Sequence, residues 1–183
     1  MCMEAVLTKD RILRYDIDTY HKMGELGLIP RNTELIYGVV VHKMTISPIH
    51  SKTVNKLRNA VSKTLSKEFI ILQESPISIQ NSEPEPDISV IRGTYDDFGE
   101  KHPSTAELVI EVAYSSLEDD LEKASIYASA EIPFYWIIDI QSRKLHIFEK
   151  PEKGKYNIHS ILEPNLSVKI PHTEIEISLN ELL

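Results

Sequence analysis

The spacing of hydrophobic positions along the chain changes several times, and each change marks an element. From His50 to Lys67 the apolar residues Val54, Leu57, Val61 and Leu65 recur every third or fourth position, while lysines and Arg58 occupy the other faces. That period predicts an amphipathic helix. Upstream, Asp16 or Asp18 is placed to cap a short first helix running to about Leu28, with Gly27 and Pro30 as its stop. Glu34 to Gly38 and Val39 to Met44 are rich in β-branched and aromatic residues around Gly38, which predicts two strands of a hairpin or a bent ribbon. Phe69 to Leu72, Ile77 to Ile79 and Asp87 to Ile91 read as strands. Between the last two, Asn81 to Pro86 is a turn, because each proline lacks a ladder donor.

Glu107 to Ala113 is almost continuously apolar, the pattern of a central strand buried on both faces of a sheet. Ser116 followed by Glu118, Asp119 and Asp120 opens the next helix with acids where the helix dipole favours them, and that helix runs to about Ala130. After Pro133, Phe134 to Ile140 and Lys144 to Phe148 are strands about the turn at Gln141, and Tyr156 to Leu162 begins a series of shorter β segments. The sum is an α/β fold: a central mixed β-sheet flanked by helices, with a β-rich C-terminal third. No repeat and no Ser/Gly-rich linker divides it, so one domain spans 1–183.

Composition narrows the function classes. With 42% hydrophobic and 26% charged residues, disorder and coiled coil are excluded. The formal charge of -8 argues against a protein that coats nucleic acid, although it leaves room for one focused basic groove. Cys2 is the only cysteine, so one chain builds neither a disulfide nor a cysteine zinc site, and the seven histidines show no paired ligand spacing. No zinc is therefore expected. The start, MCMEAVLTKDRILRYD, lacks the pattern of a signal peptide, and no apolar run is long enough for a membrane span. These features predict a soluble cytoplasmic protein without a membrane partner.

Two residues are out of place as structure alone. Glu111 sits inside the apolar central strand, where an unpaired charge costs roughly several kcal/mol. Asp87 follows Pro86 at a strand start, with its direction set by the proline. If adjacent strand ends bring these acids together, they repel unless a hard divalent cation joins them. Lys123, one helical turn beyond Asp119, is placed to fold back past the end of the central strand, where an ammonium could orient or deprotonate a water. Glu34 is a possible further ligand.

The ordered set Glu34, Pro86-Asp87, Glu111-Val112-Ala113 and Lys123 resembles the PD-(D/E)xK nuclease superfamily, and more closely its Uma-two group of restriction-endonuclease-like proteins. The matching stretches are ELIYG at 34 to 38, EPDISVI at 85 to 91, ELVIEVAYSS at 107 to 116 and DLEKASIYASAEIPFYWIID at 120 to 139. The resemblance spans about Tyr20 to Leu183. It departs from the superfamily at Ala113, where a lysine usually stands two residues after the strand acid; in the resembled group that lysine comes from the following helix, which Lys123 satisfies. Tyr37 stands where the group often has an acid, and Tyr114-Ser-Ser where Ser-Pro-Ser is more usual.

The resemblance implies a restriction-endonuclease-like fold and an endonuclease that hydrolyses DNA phosphodiester bonds to 5′-phosphate products. Mg²⁺, or Mn²⁺ in its place, would be held by Asp87, Glu111, the backbone carbonyl of Val112 and Glu34, with Lys123 positioning the attacking water. A homodimer is expected, from the apolar C-terminal segments and Phe134-Tyr135-Trp136. Competing readings are a non-catalytic DNA-binding or protein-interaction module of the same fold, and an enzyme acting on a small phosphorylated molecule. At residue level, Glu111 and Lys123 could form only a buried ion pair, His50 could only cap its helix, and Glu118 to Asp120 could be only a solvated helix start. The basic residues Lys52, Lys56, Arg58, Lys63 and Lys67 read as a solvated face.

Overall fold

The structure is a computed structural model that describes residues 12–44, 47–63 and 65–183. The expectations resting on Cys2 and on the N-terminal start concern residues 1–11, outside the described residues. Helix α1 spans Ile17–Glu25, with the Asp16 side chain accepting from the Thr19 N–H as its cap. Strands β1 (Thr33–Ile36) and β2 (Val39–His42) pair antiparallel about Tyr37 and Gly38. Both turn residues have positive φ, 51° and 78°, as a two-residue hairpin turn with strand-matching twist requires. A Cβ on Gly38 would stand 2.9 Å from the Tyr15 carbonyl oxygen, so glycine is needed there twice over.

Helix α2 spans Pro48–Ser62, with Ser47 as cap and Pro48 in its first turn, and buries Thr53, Val54, Leu57 and Val61. It therefore ends well short of Lys67. The central sheet follows, in the order β3 (Phe69–Gln73), β4 (Ile88–Arg92), β5 (Leu108–Ala113), β6 (Phe134–Asp139), β7 (Lys144–Glu152), β8 (Lys155–Leu162). Helix α3, Leu117–Ser129, makes the crossover between the parallel neighbours β5 and β6, and every other pairing in the sheet is antiparallel. Strands β9 (Ser167–Lys169) and β10 (Glu176–Ser178) form a small ribbon, and α4, Leu179–Leu182, follows them.

Because strand side chains alternate, β5 supplies both cores. Leu108, Ile110 and Val112 pack into the cluster that holds Val54, Leu57 and Val61 of α2, while Val109 and Ala113 pack with Ile126 and Tyr127 of α3. All six residues of β5 are buried, as its sequence predicts.

Three expectations change. Ile77 to Ile79 is no strand: it makes a single bridge, Ile79 to Ser82, and its isoleucines fill the core beneath a loop. Asp87 stands immediately before β4, not within it. Trp136 and Tyr135 are buried within one chain, so they offer no surface to a second copy. No described helix is long and apolar enough to cross a membrane.

Candidate active site

The register of the sheet builds the site. Ile88 pairs with Ile110 across the antiparallel β4–β5 ladder, which sets Asp87 opposite Glu111 at the carboxyl end of β5. Open α/β sheets bind ligands at strand ends of this kind. The Asp87 backbone N–H donates to Glu111 Oε2 at 3.2 Å, and Asp87 Oδ2 accepts the Val112 N–H at 2.7 Å. His50, on the first turn of α2, brings Nε2 within 3.0 Å of Asp87 Oδ1 and 3.1 Å of Oδ2.

Helix α3 supplies the other wall. Asp120, Lys123 and Tyr127 lie at i, i+3 and i+7, hence along one stripe facing the sheet. Lys123 Nζ lies 3.3 Å from Glu111 Oε1, 3.2 Å from Glu34 Oε1 and 3.6 Å from Asp120 Oδ1. The Tyr127 hydroxyl donates to Glu111 Oε1 at 3.1 Å. The Ser116 hydroxyl, instead of capping the helix, donates to Asp120 Oδ2 at 2.8 Å, and the Tyr135 hydroxyl donates to the Asp120 carbonyl at 2.7 Å. Glu34 arrives on β1, where its Oε2 accepts the Glu85 N–H at 3.2 Å. All four residues proposed from the sequence for their side chains, Glu34, Asp87, Glu111 and Lys123, thus line one cleft of about 710 Å³, together with Val112.

The electrostatics follow from burial and crowding. Burial raises the Glu111 carboxyl well above its ordinary range; Lys123 opposes that rise, and Asp120, Asp87 and Glu34 add to it. Burial likewise pushes Asp120 up to about 6, against the pull of Lys123. For Lys123, burial alone would lower the ammonium, but Glu111, Glu34 and Asp120 outweigh it and hold the proton more firmly than usual. His50 is also raised: the hydrogen bond and charge of Asp87 overcome its burial.

Four carboxylates thus converge on one ammonium and one imidazole. An all-oxygen set with surplus negative charge suits a hard divalent cation such as Mg²⁺ or Mn²⁺. A soft or nitrogen-preferring metal gains little there.

Two residues were misjudged from the sequence. Asp120, expected as part of a solvated helix start, is 4% exposed and is the acid beside Lys123, while Asp119 is exposed at the rim of the cleft. The stripe Asp120, Lys123, Tyr127 at helical spacing was the signal for it. His50 both sits in a capped helix start and bonds Asp87; nothing local to its sequence announces a partner 37 residues away. The basic tilt of α2 is a surface matter, as expected: Lys52 and Lys56 donate to the carbonyls of Leu183 and Glu181 at the end of the chain.

The comparisons with known proteins agree with this architecture. The crystal structure of a putative nuclease belonging to DUF820, from Anabaena variabilis, superposes with a TM-score of 0.63 at 17% sequence identity, covering 87% of this chain and 96% of that one. No curated protein matches. The model of the family Uma2, described as "Putative restriction endonuclease", matches residues 19–180. With nearly its whole length covered by that match, this chain belongs to the Uma2 family.

Proposed function

We propose that the chain is a metal-dependent endonuclease that hydrolyses DNA phosphodiester bonds from this acid cleft, leaving 5′-phosphate ends. The observation that carries the reading is the convergence of Glu34, Glu111 and Asp120 on Lys123 at the carboxyl end of β5, with Asp87 bonded to Glu111 beside them. Asp87, Glu111 and the Val112 carbonyl would hold Mg²⁺, or Mn²⁺ in its place, and Glu34 would complete the set. Once bound, the cation supplies Lewis-acid activation of water and neutralises charge on the leaving oxygen.

The chain's own groups have separate tasks. Lys123, held protonated by its three carboxylates, donates and does not accept, so it orients the attacking water and meets the charge growing on the phosphate. His50 and the Val112 N–H fix the direction of the Asp87 carboxylate, and Tyr127 fixes that of Glu111.

The reading takes residues 1–183 as one restriction-endonuclease-like domain of a cytoplasmic homodimer, in which two clefts would face one duplex. With the central aromatics buried, a dimer would have to use other apolar surface, such as the exposed Leu26 and Leu28 beyond α1. Light scattering showing a monomer at micromolar concentration would remove the dimer without touching the site.

One observation favours a second reading, a non-catalytic module of the same fold. Lys123 is satisfied by three acids and Asp87 by His50 and a backbone N–H, as in a closed structural ion cluster. Incubating the purified protein with supercoiled and single-stranded DNA across Mg²⁺, Mn²⁺ and Ca²⁺ separates the two. Cleavage with Mg²⁺ or Mn²⁺ that is lost on chelation supports the nuclease. Intact DNA under every condition supports the module.

A further inference from the structure

Away from the acid cleft, the fold gathers a second set of ligand-bearing side chains, remote from one another in sequence. His21 of α1, Glu83 of the segment before β4, and His102 of the loop before β5 bring one ligand atom each to within 4.8 Å of the others. We propose that these three residues form a zinc site that fastens α1 and the 102 loop to the segment carrying Glu83.

Glu83 is the fixed member. It is buried and bonded through its backbone to Leu35 of β1 in both directions, with the Glu83 N–H to the Leu35 carbonyl at 2.7 Å. Its Oε2 accepts the Ser78 hydroxyl at 2.7 Å, which leaves Oε1 aimed at His21 Nε2, 2.6 Å away. The backbone N–H of the same Ser78 donates to the Pro103 carbonyl at 2.8 Å, so one residue orients the carboxylate and anchors the loop that presents His102. Outer contacts of this kind typically set the direction of a metal-binding carboxylate. The His21 and His102 rings stand edge to face with centroids 6.2 Å apart. On the other side, the Tyr20 hydroxyl donates to the Thr33 carbonyl at 2.8 Å and holds α1 against β1.

Two imidazoles and one carboxylate are a zinc donor set, with a fourth position left for water. Tetrahedral bonds of about 2.0 to 2.1 Å put ligand atoms about 3.3 Å apart. The His21–Glu83 pair therefore has to open slightly and the wider pairs to close. Both histidines are exposed, with the His21 side chain 42% accessible, so their rings turn at little cost about the buried carboxylate. The site faces a cleft of about 350 Å³ lined by Tyr20, Pro30, Thr33 and both histidines, which gives an ion a way in. The donor chemistry differs from that of the acid cleft: nitrogen ligands select zinc and its neighbours, whereas an all-oxygen set suits Mg²⁺.

The test is a Zn²⁺ titration by calorimetry, joined to thermal unfolding, on untagged protein of residues 1–183 carrying Cys2→Ser so that no thiol contributes. The expected result is one Zn²⁺ per chain and a melting temperature that rises with Zn²⁺. Both effects should fall at least about tenfold in affinity in His21→Ala and His102→Ala, and by about 10- to 100-fold in Ser78→Ala. Asp87→Asn, which alters only the acid cleft, should keep the Zn²⁺ site, so failure of the nuclease reading leaves this result intact. Absence of stoichiometric Zn²⁺ binding overturns the proposal, as does parental Zn²⁺ affinity in a folded His102→Ala protein.

Discussion

Glu111 shows at the scale of a single residue how the sequence forces chemistry onto the fold. A carboxylate 4% exposed in a central strand survives because Tyr127, Lys123 and the Asp87 N–H meet it. On the proposed reading Asp87 and Lys123 divide the labour, since a carboxylate can ligate a hard cation and an ammonium cannot. Lys123→Ala should lower DNA cleavage by about 10² to 10³ while Mn²⁺ binding is largely retained, and Asp87→Ala should weaken both; calorimetry and a cleavage assay on the same two proteins check this. Parental cleavage by Lys123→Ala would leave that lysine only a structural partner of the acids. The raised carboxyls add a pH dependence. Burial sets Asp120, beside the proposed ligands, at about 6 and raises Glu111 itself, so a cation held by Glu111 would compete with protons there. Mn²⁺ affinity should therefore drop as pH is lowered through about 6, with proton release on binding that varies the heat between buffers of different ionisation enthalpy. An affinity unchanged between pH 7.5 and 5.5 would place the cation elsewhere.

Elements decide where those residues stand, and here α2 and the β1–β2 hairpin matter most. Leu57 is fully buried between α2 and the sheet, so Leu57→Ala should cost about 2 to 5 kcal/mol, read as a lower urea midpoint with an unchanged slope. Gly38→Ala should destabilise by more than about 1 kcal/mol, because φ is 78° and the new methyl meets the Tyr15 carbonyl. It should also reduce cleavage, since the hairpin delivers Glu34. Helix α2 and the central strand were legible from their hydrophobic patterns, α1 and α3 from their cap and first-turn residues, and the hairpin from the β-branched residues about Gly38. Ile77 to Ile79 misled because a buried loop is as apolar as a strand, and its backbone pairs once with Ser82 instead of joining the ladder. The cluster of Asp87, Glu111 and Lys123 was legible from position at the start of β4, along β5 and on α3. Asp120 is signalled only by its helical spacing to Lys123 and Tyr127, a weak mark, because an acid in the first turn of a helix already has a sufficient local reason to be there. His50 and the pair His21 and His102 were hidden for a different reason: their partners are fixed by tertiary packing, not by spacing.

At the scale of the whole molecule, a chain with a formal charge of -8 lines with eight acidic residues the cleft where, on the proposed reading, a polyanion would have to react. A cation in the cleft would turn that liability into a requirement, because the acids that repel phosphate are also the ones proposed to hold the metal. Activity should therefore depend on divalent cation absolutely, not by degrees. The most direct test is the rate of supercoiled DNA nicking by the parent protein and by Glu111→Gln, measured with Mg²⁺ and with excess chelator. The account predicts nicking by the parent with Mg²⁺, none with chelator, and a loss of about 10² or more in Glu111→Gln. Equal nicking by parent and variant, or nicking that persists in chelator, would contradict it.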